Sequence, residues 1–443
     1  MVNDLVTIII RMRFGDKLKN VVFSCAEREF SYTERESSYM EQKLQTPYFV
    51  IDEPILQRYY DMLSTSLKEN WGNYLVGYSF KTNSLPWLVK FVKANGAFAE
   101  VVSEDEYSLA KYLGFEDSQI VYNGPYKGEH SFVDVLSAGG YVNLDSAREI
   151  GWLTELAKNN PNRKYKVGIR CNFNLESMCP GETTMGDESG RFGFCYETGK
   201  FAEAVARVSS LTNVQIAGIH LHSSSKSRSV AIFCAIANMA CRLKEEFGLK
   251  LEYVDLGGGY CGGLEGRPEY PDYFKAVGPI LREAFDPSET KLIVEPGVSL
   301  ISKCTTFVTE VFDTRDIKGS RYIMTDGSRF NIDATMIKSS HLFHIDYDKI
   351  PASERKTMEE QVVSGFTCME VDRIFHQKNQ PELMPGDRIV YENVGGYTMS
   401  LNPLFIQYFP AVYVRSGERM TMVRKKWTPA EYVQGSCETG EII

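Results

Sequence analysis

Eight short apolar runs recur from residue 74 onward: YLVGYSF, AFAEVV, QIVYN, YVNLD, YKVGIRCN, VQIAGIHLH, LEYVDLG and LIVEPG. Between most of them lie segments with helical periodicity, among them PWLVKFVKANG, SAREIGWLTELAKN and SVAIFCAIANMACRLKEEFG. Runs rich in β-branched residues and separated by amphipathic helices belong to a parallel sheet covered by helices, since a parallel neighbour is reached only through a crossover. Eight such units predict an α/β fold built on a (β/α)8 TIM barrel, which takes about 250 residues. A doubly wound open sheet is the alternative. The connection GPYKGEHSFVDVLSAGG carries the weakest helical pattern of the set.

After residue 300 the texture changes. KCTTFVTEVFDTRD, SRYIMTDGS, QVVSGFTC and DRIVYENVGGY alternate and are punctuated by turn residues, including Pro385-Gly386-Asp387. This pattern predicts an antiparallel β domain. VVFSCAEREFSYTE, near the start, is also strand-like. The expected division is an N-terminal segment, 1–46, that joins the β domain, a barrel over 47–300, and a C-terminal β domain over 301–443.

The charge balance narrows the partners. A net charge of −9 over 443 residues argues against a general nucleic-acid binder, and Arg424, Lys425 and Lys426 form only a short basic cluster. The opening apolar run in MVNDLVTIIIRMRF ends at Arg11, too short and wrongly flanked for a signal peptide or membrane span. The ten cysteines include no CxxC pair, so zinc ribbons and redox dithiols are not expected. A reducing, cytoplasmic protein with free thiols is expected, with no membrane or nucleic-acid partner.

In a barrel of this kind chemistry sits where the strands end. The polar residues there are Lys81, Glu100, Asn123, Asp145, Asn172, His222, Gly257, Gly258, Gly259 and Glu295. Lys81 stands inside the apolar stretch GYSFKTNSLPWL. It either snorkels to the surface or is buried with a depressed pKa, ready to form a Schiff base with an aldehyde. If that aldehyde is pyridoxal phosphate, a phosphate cradle, a partner for the pyridine nitrogen and a group against the ring face are also required. DLGGGY supplies glycines that suit a phosphate or simply a tight turn. GIHLHSSS places His220 and His222 on one side of a strand, where they suit a cofactor, a metal pair or a packed core. Glu295 suits a pyridinium N–H or a structural ion pair.

YSFKTN, HLHSSS, DLGGGY, VEPG, GFTCMEVDRI and ENVGGYT, in this order, resemble the fold-type III pyridoxal-phosphate decarboxylases, the group of ornithine, arginine and diaminopimelate decarboxylases. The resemblance runs from about residue 47 to residue 415 and is closest in style to the diaminopimelate enzymes. It implies a carboxy-lyase that releases CO2 from an amino acid held as an external aldimine. Lys81 would carry the cofactor, His222 would stack on its ring, Glu295 would bond its nitrogen and Glu100 would be the acid near the lysine. Ser225, Gly257, Gly258, Gly259 and Tyr397 would contact the phosphate, and Gly297 would be a further cofactor-binding residue. Cys368 would reach across a head-to-tail homodimer into the partner's site, where it or water would reprotonate the carbon. No metal is implied. An amino-acid racemase and a non-catalytic regulatory homologue stand as alternatives, and GFTCMEVD and ENVGGYT favour the decarboxylase.

Two positions depart from the family pattern. Val298 stands where an arginine usually follows EPG, and Lys226 is expected to supply the missing cation. Met369 stands where an acid usually meets the distal amine of the substrate, and methionine cannot pair with an ammonium. Asp326, Arg329, Lys338 and Asp372 are the residues expected at the far end of the substrate. The connection 173–194 contains glycines 181, 186, 190 and 193 and is expected to be a mobile lid with Arg191 near its closing end.

Overall fold

The computed structural model describes the backbone of residues 8–14 and 17–23, and residues 44–188 and 190–436 with their side chains. Strands β1 (Ile8–Phe14) and β2 (Lys17–Phe23) pair with each other in an antiparallel hairpin. The rest of the strand-like N-terminal stretch, from residue 24 to residue 43, lies outside the described residues.

β3 (Tyr48–Asp52) leads into helix α1 (Glu53–Asn70), which Asp52 caps by accepting the Ile55 N–H at 2.9 Å. The alternation then runs β4 (Tyr74–Ser79), α2 (Pro86–Ala94), β5 (Phe98–Ser103), α3 (Glu104–Tyr112), β6 (Ile120–Tyr126), α4 (Glu129–Ser137), β7 (Tyr141–Leu144) and α5 (Ala147–Asn159). It continues with β8 (Tyr165–Asn172), a short β9 (Phe194–Cys195), α6 (Lys200–Ser209), β10 (Val214–His220), α7 (Val230–Glu246), β11 (Tyr253–Asp255), α8 (Tyr270–Arg282) and β12 (Lys291–Val294).

β4 to β8 and β10 to β12 are hydrogen-bonded in parallel, and the β12–β4 and β8–β10 pairings close the ring. All eight expected strands fall at their places, so the open-sheet alternative is excluded. The helices bury one apolar stripe each: in α7 it is Ile232, Ile236, Met239, Ala240 and Leu243, at the 3–4 spacing of a helix face.

The second sheet is mixed rather than wholly antiparallel. Its order is β17 (Arg373–Pro381), β16 (Thr357–Ser364), β14 (Ser320–Thr325), β13 (Thr305–Ile317), β3, β19 (Ala411–Ser416) and β20 (Arg419–Arg424). β15 (Leu342–Asp346) and β18 (Arg388–Glu392) pair beside β13. β3 runs antiparallel to β13 but parallel to β19, and β14 runs parallel to β16. The strand that carries the N-terminal part of the chain into this sheet is Tyr48–Asp52, which the expected division had given to the barrel. Its neighbour β19 lies more than three hundred residues on, a pairing that no local pattern encodes. One buried apolar cluster runs from the barrel through Phe49, Phe307, Tyr391 and Val412, so the two layers share a core.

Candidate active site

The barrel strands end at one rim, where their side chains form a hydrogen-bonded row. The turn after β4 carries Lys81, whose Nζ donates to Glu100 Oε2 in β5 at 2.7 Å. Glu100 Oε1 accepts from Asn123 Nδ2 in β6 at 3.2 Å, and the same amide donates to Glu295 Oε1, just past β12. Asn123 Oδ1 accepts from Asn143 Nδ2 in β7 at 2.8 Å, and Asn143 also donates to Asp255 Oδ2 at the end of β11 at 3.3 Å. Tyr253 OH holds Asn143 by donating to its Oδ1 at 2.9 Å. Asp145, on the adjoining rim, accepts from Arg170 at 3.2 Å.

The lysine differs from expectation. Its side chain is 39% exposed, while its partner Glu100 is 1% exposed. Burial around the amine favours the neutral form, but Glu100 and Glu295 outweigh it and hold the pKa above the ordinary lysine value. Lys81 is therefore an ammonium in an acidic cage, not a desolvated neutral amine.

β10 delivers His220 at its end, and His222 follows with its ring 12° from parallel to that of His220 and the centroids 6.4 Å apart. Burial, then Arg170 and Lys81, push the His222 pKa down to about 3; His220 is likewise pushed well below the usual range by burial and Arg170. Both rings are neutral near pH 7. His222 Nδ1 and both ring nitrogens of His220 are buried without a hydrogen-bond partner. Glu106 stands behind Glu100, and burial followed by repulsion from Glu100 raises its pKa to about 7.

The glycines are close-approach positions. A Cβ on Gly257, which has φ +66°, would meet the His222 side chain at 2.6 Å, and one on Gly258 would meet the Glu295 carbonyl oxygen at 2.1 Å. The loop therefore lies against both the ring residue and the carboxylate residue. Gly297 caps the one-turn helix Val298–Ile301. The ENVGGYT loop of the second sheet docks on the Lys81 turn: Tyr397 N donates to Thr82 O at 2.8 Å and Ser400 Oγ to Lys81 O at 3.0 Å. Val298 packs against Gly396 of that loop.

Ser225 forms an isolated bridge with Thr183 of the 173–194 connection, and Lys226 beside it is exposed. Glu182 accepts from Ser227 Oγ at 2.6 Å and also from Ser229 Oγ. Asn172 Nδ2 donates to Gly190 O at 2.7 Å and to Phe192 O at 2.8 Å. Arg170 and Arg191 each lie over the Phe192 ring, at 4.9 and 4.3 Å. The expected lid is thus tied at one end to the serine loop and at the other to the rim of β8.

The residues expected at the substrate's far end divide. Asp372 is buried: Oδ1 accepts from Ser328 Oγ at 3.1 Å and Arg329 N at 2.9 Å, and Oδ2 from Thr367 Oγ1 at 2.7 Å. Asp326 Oδ1 accepts from Thr309 Oγ1 and Glu310 N, both at 2.8 Å. Both carboxylates brace loops, Asp372 through both oxygens and Asp326 through Oδ1. Arg329 pairs with Asp333 at 2.9 Å, and Lys338 Nζ donates to Ile332 O at 3.0 Å. Cys368 is exposed on the Gly365–Asp372 loop, none of whose hydrogen bonds among the described residues reaches the Lys81 row.

Sequence reasoning missed Asn143, Arg170 and Asp255. Asp255 carried a signal, since it directly precedes the leucine and glycines of DLGGG at a strand end. Asn143 and Arg170 lie within strand runs, where register and not composition decides which side chains face the lumen.

Comparison with known proteins places these features in a family. Residues 60–302 match the model of the pyridoxal-dependent decarboxylases, pyridoxal binding domain, and the chain belongs to that family. Over 417 residues it is 24% identical to an L-glutamyl-[BtrI acyl-carrier protein] decarboxylase of Niallia circulans, covering 90% of this chain and 95% of the relative. It is also 24% identical over 403 residues to a diaminopimelate decarboxylase of Archaeoglobus fulgidus, covering 88% and 92%. In three dimensions it resembles diaminopimelate decarboxylase of M. jannaschii in complex with L-lysine, with a TM-score of 0.77, 22% identity, and coverage of 90% and 94%.

The family's cofactor, pyridoxal phosphate, fits what the rim offers. An amine at a strand end, a neutral imidazole with a free nitrogen, a buried carboxylate and a glycine loop pressed against both meet the needs of aldehyde, ring face, ring nitrogen and phosphate.

Proposed function

We propose that this protein is an amino-acid α-decarboxylase that works as a homodimer with shared sites, on a substrate whose far end is not a simple ammonium. The observation that carries the reading is the row Lys81–Glu100–Asn123–Glu295 at the C-terminal mouth of a barrel of this family. Lys81 Nζ is the attachment point for the cofactor, and Glu100 holds it in place as an ammonium until it reacts. His222, neutral and flat against the site, covers the ring face without adding charge. Glu295 meets the pyridine nitrogen. Ser225, Gly257, Gly258, Gly259, Gly297 and Tyr397 receive the phosphate, with Lys226 as the nearby cation in place of the family arginine. Bound pyridoxal phosphate supplies an electron-poor ring that takes up the electron pair left when CO2 departs. Cys368 of the partner subunit, an exposed free cysteine, or water returns a proton to the carbon.

The dimer is supported by what the β-domain loops leave uncovered. Val371, Leu401, Leu404, Phe405 and Ile406 are exposed. They lie on loops linked through Asp372, Ser328 and the neighbouring one-turn helices Arg329–Ile332 and Thr398–Leu401. An apolar patch of this kind beside Cys368 suits an interface that delivers the thiol to another copy.

The substrate reading rests on Met369, which offers no charge to an ammonium. The relative that acts on a glutamyl group borne by a carrier protein provides a precedent for a substrate without a free distal amine. The test is CO2 release from free L- and D-amino acids and from carrier-bound glutamate, with pyridoxal phosphate added and Lys81→Ala as control. Release from one of these that disappears in the control supports the reading. Cofactor binding with no release from any of them would favour the regulatory homologue.

A further inference from the structure

We propose that Asp255 and Glu295 hold one proton between them, and that Asp255 is a positioning residue that keeps this proton beside the seat of the pyridine nitrogen. The inference rests on the reading that Glu295 meets that nitrogen.

The geometry leaves little else. β11 and β12 are parallel neighbours with Asp255 opposite Ile293, so Asp255 and Glu295, two residues past Ile293, both face the barrel lumen. Carboxylate oxygens of both, with a ring nitrogen of His220, lie within 4.8 Å of one another, and all three side chains are buried. Amides fix their remaining oxygens: Asp255 Oδ1 accepts from Gly257 N at 2.9 Å, Asp255 Oδ2 from Asn143, and Glu295 Oε1 from Asn123. Glu295 Oε2 is left toward His220 Nε2, 3.8 Å away.

Two buried carboxylates in contact need a cation or a proton. The cations that face this space are paired with other carboxylates: Lys81 with Glu100 at 2.7 Å, from where it offsets Glu295 less than burial and Asp255 oppose it, Arg170 with Asp145 at 3.2 Å and Lys127 with Glu149 at 2.9 Å. His220 and His222 are neutral, and the hydroxyls of Tyr253 and Tyr260 are pushed away from ionisation by burial and by Asp255. Consistent with a shared proton, burial raises Asp255 to about 7 and drives Glu295 well above the carboxylate range, with Asp255 its next cause.

A pyridine nitrogen seated against Glu295 would take this proton on its lone pair from the carboxyl oxygen. The pair's charge goes from −1 to −2, and the new pyridinium offsets it. No proton is drawn from solvent for the ring.

The test compares apo and pyridoxal-phosphate-loaded protein at pH 8 by infrared difference spectroscopy, with proton uptake measured by titration calorimetry in buffers of different ionisation enthalpy. Wild type is expected to lose the C=O stretch of a protonated carboxyl on loading. In Asp255→Asn the repulsion from Asp255 is gone and Glu295 ionises more readily beside Asn123, so the band is expected to be weaker before loading, and loading to take up more protons than wild type, up to about one more per site. Glu295→Gln, in which Asp255 ionises, is likewise expected to show a weaker band and stands in if the first variant does not fold. Wild type that binds the cofactor without losing a carboxyl band, or Asp255→Asn that keeps the band at full strength and the wild-type proton uptake, overturns the inference alone. Failure of wild type to bind pyridoxal phosphate overturns the reading beneath it.

Discussion

Lys81 and His222 stand at the same barrel rim, close enough for the lysine's charge to act on the imidazole, and have opposite electrostatic fates. The lysine is held charged by Glu100 and Glu295, and the imidazole is kept neutral by burial and by Arg170. Replacing Glu100 with glutamine removes the stronger of the two counter-charges, so the Lys81 amine should shed its proton at lower pH. The midpoint of cofactor attachment, measured as label retained after borohydride reduction and mass spectrometry across pH, should fall by about 1–3 units. An unchanged midpoint would show that Glu100 does not set the amine's charge. For His222 the sign runs the other way. Its folded pKa of about 3 lies below the unfolded value near 6.5, so its neutral form contributes stability that is present above the unfolded pKa and lost as pH falls toward 3. Apo His222→Asn, which cannot titrate there, should lose less of its urea midpoint between pH 7 and pH 4 than wild type. An equal or larger loss would place the acid sensitivity elsewhere.

Between elements, the connection 173–194 is held to the serine loop chiefly through Glu182, which accepts from Ser227 and Ser229 while its backbone oxygen accepts from Lys226 N at 2.8 Å. Glu182→Ala keeps the backbone bond and removes both side-chain bonds. Limited proteolysis should then cut within 173–194 faster than in wild type, with the barrel left intact, and added cofactor should protect less. Identical cleavage rates would mean that the backbone bonds to the serine loop and the Asn172 tether hold the connection without the Glu182 side chain. This level also marks where sequence reading stopped. The barrel strands were legible because each pairs with a neighbour through a local unit and buries both faces, which leaves an unbroken apolar run. Lys81, Glu100, His222 and Glu295 were legible as polar breaks at the ends of those runs. Asn143 was not, because it lies inside a strand run and its polarity is met sideways by Asn123, Asp255 and Tyr253. Asp255 stood at a strand end but was passed over beside the glycines that follow it. Asp326 Oδ1 and both oxygens of Asp372 accept hydrogen bonds from partners that no local pattern encodes.

At the scale of the whole molecule, the β domain serves the barrel from one side within its own chain and, in the proposed dimer, would offer Cys368 to another. The ENVGGYT loop brings Tyr397 to the Lys81 turn, whereas the Gly365–Asp372 loop, braced by Asp372, carries its thiol outward beside exposed apolar residues. If each site takes Lys81 from one subunit and Cys368 from the other, Lys81→Ala and Cys368→Ser homodimers have no complete site. In a mixed dimer both defects fall in one site and the other is whole. Random re-association of the two variants in equal amounts then leaves about one site in four intact, because half the dimers are mixed and half their sites are whole. Mixing the inactive variants after mild dissociation should therefore restore about a quarter of the wild-type rate of CO2 release. The restored rate should track the mixed-dimer fraction seen by native mass spectrometry. Mixed dimers that form without any recovered rate would mean that lysine and cysteine act within the same chain, and an active Cys368→Ser homodimer would mean that the cysteine takes no part in the site.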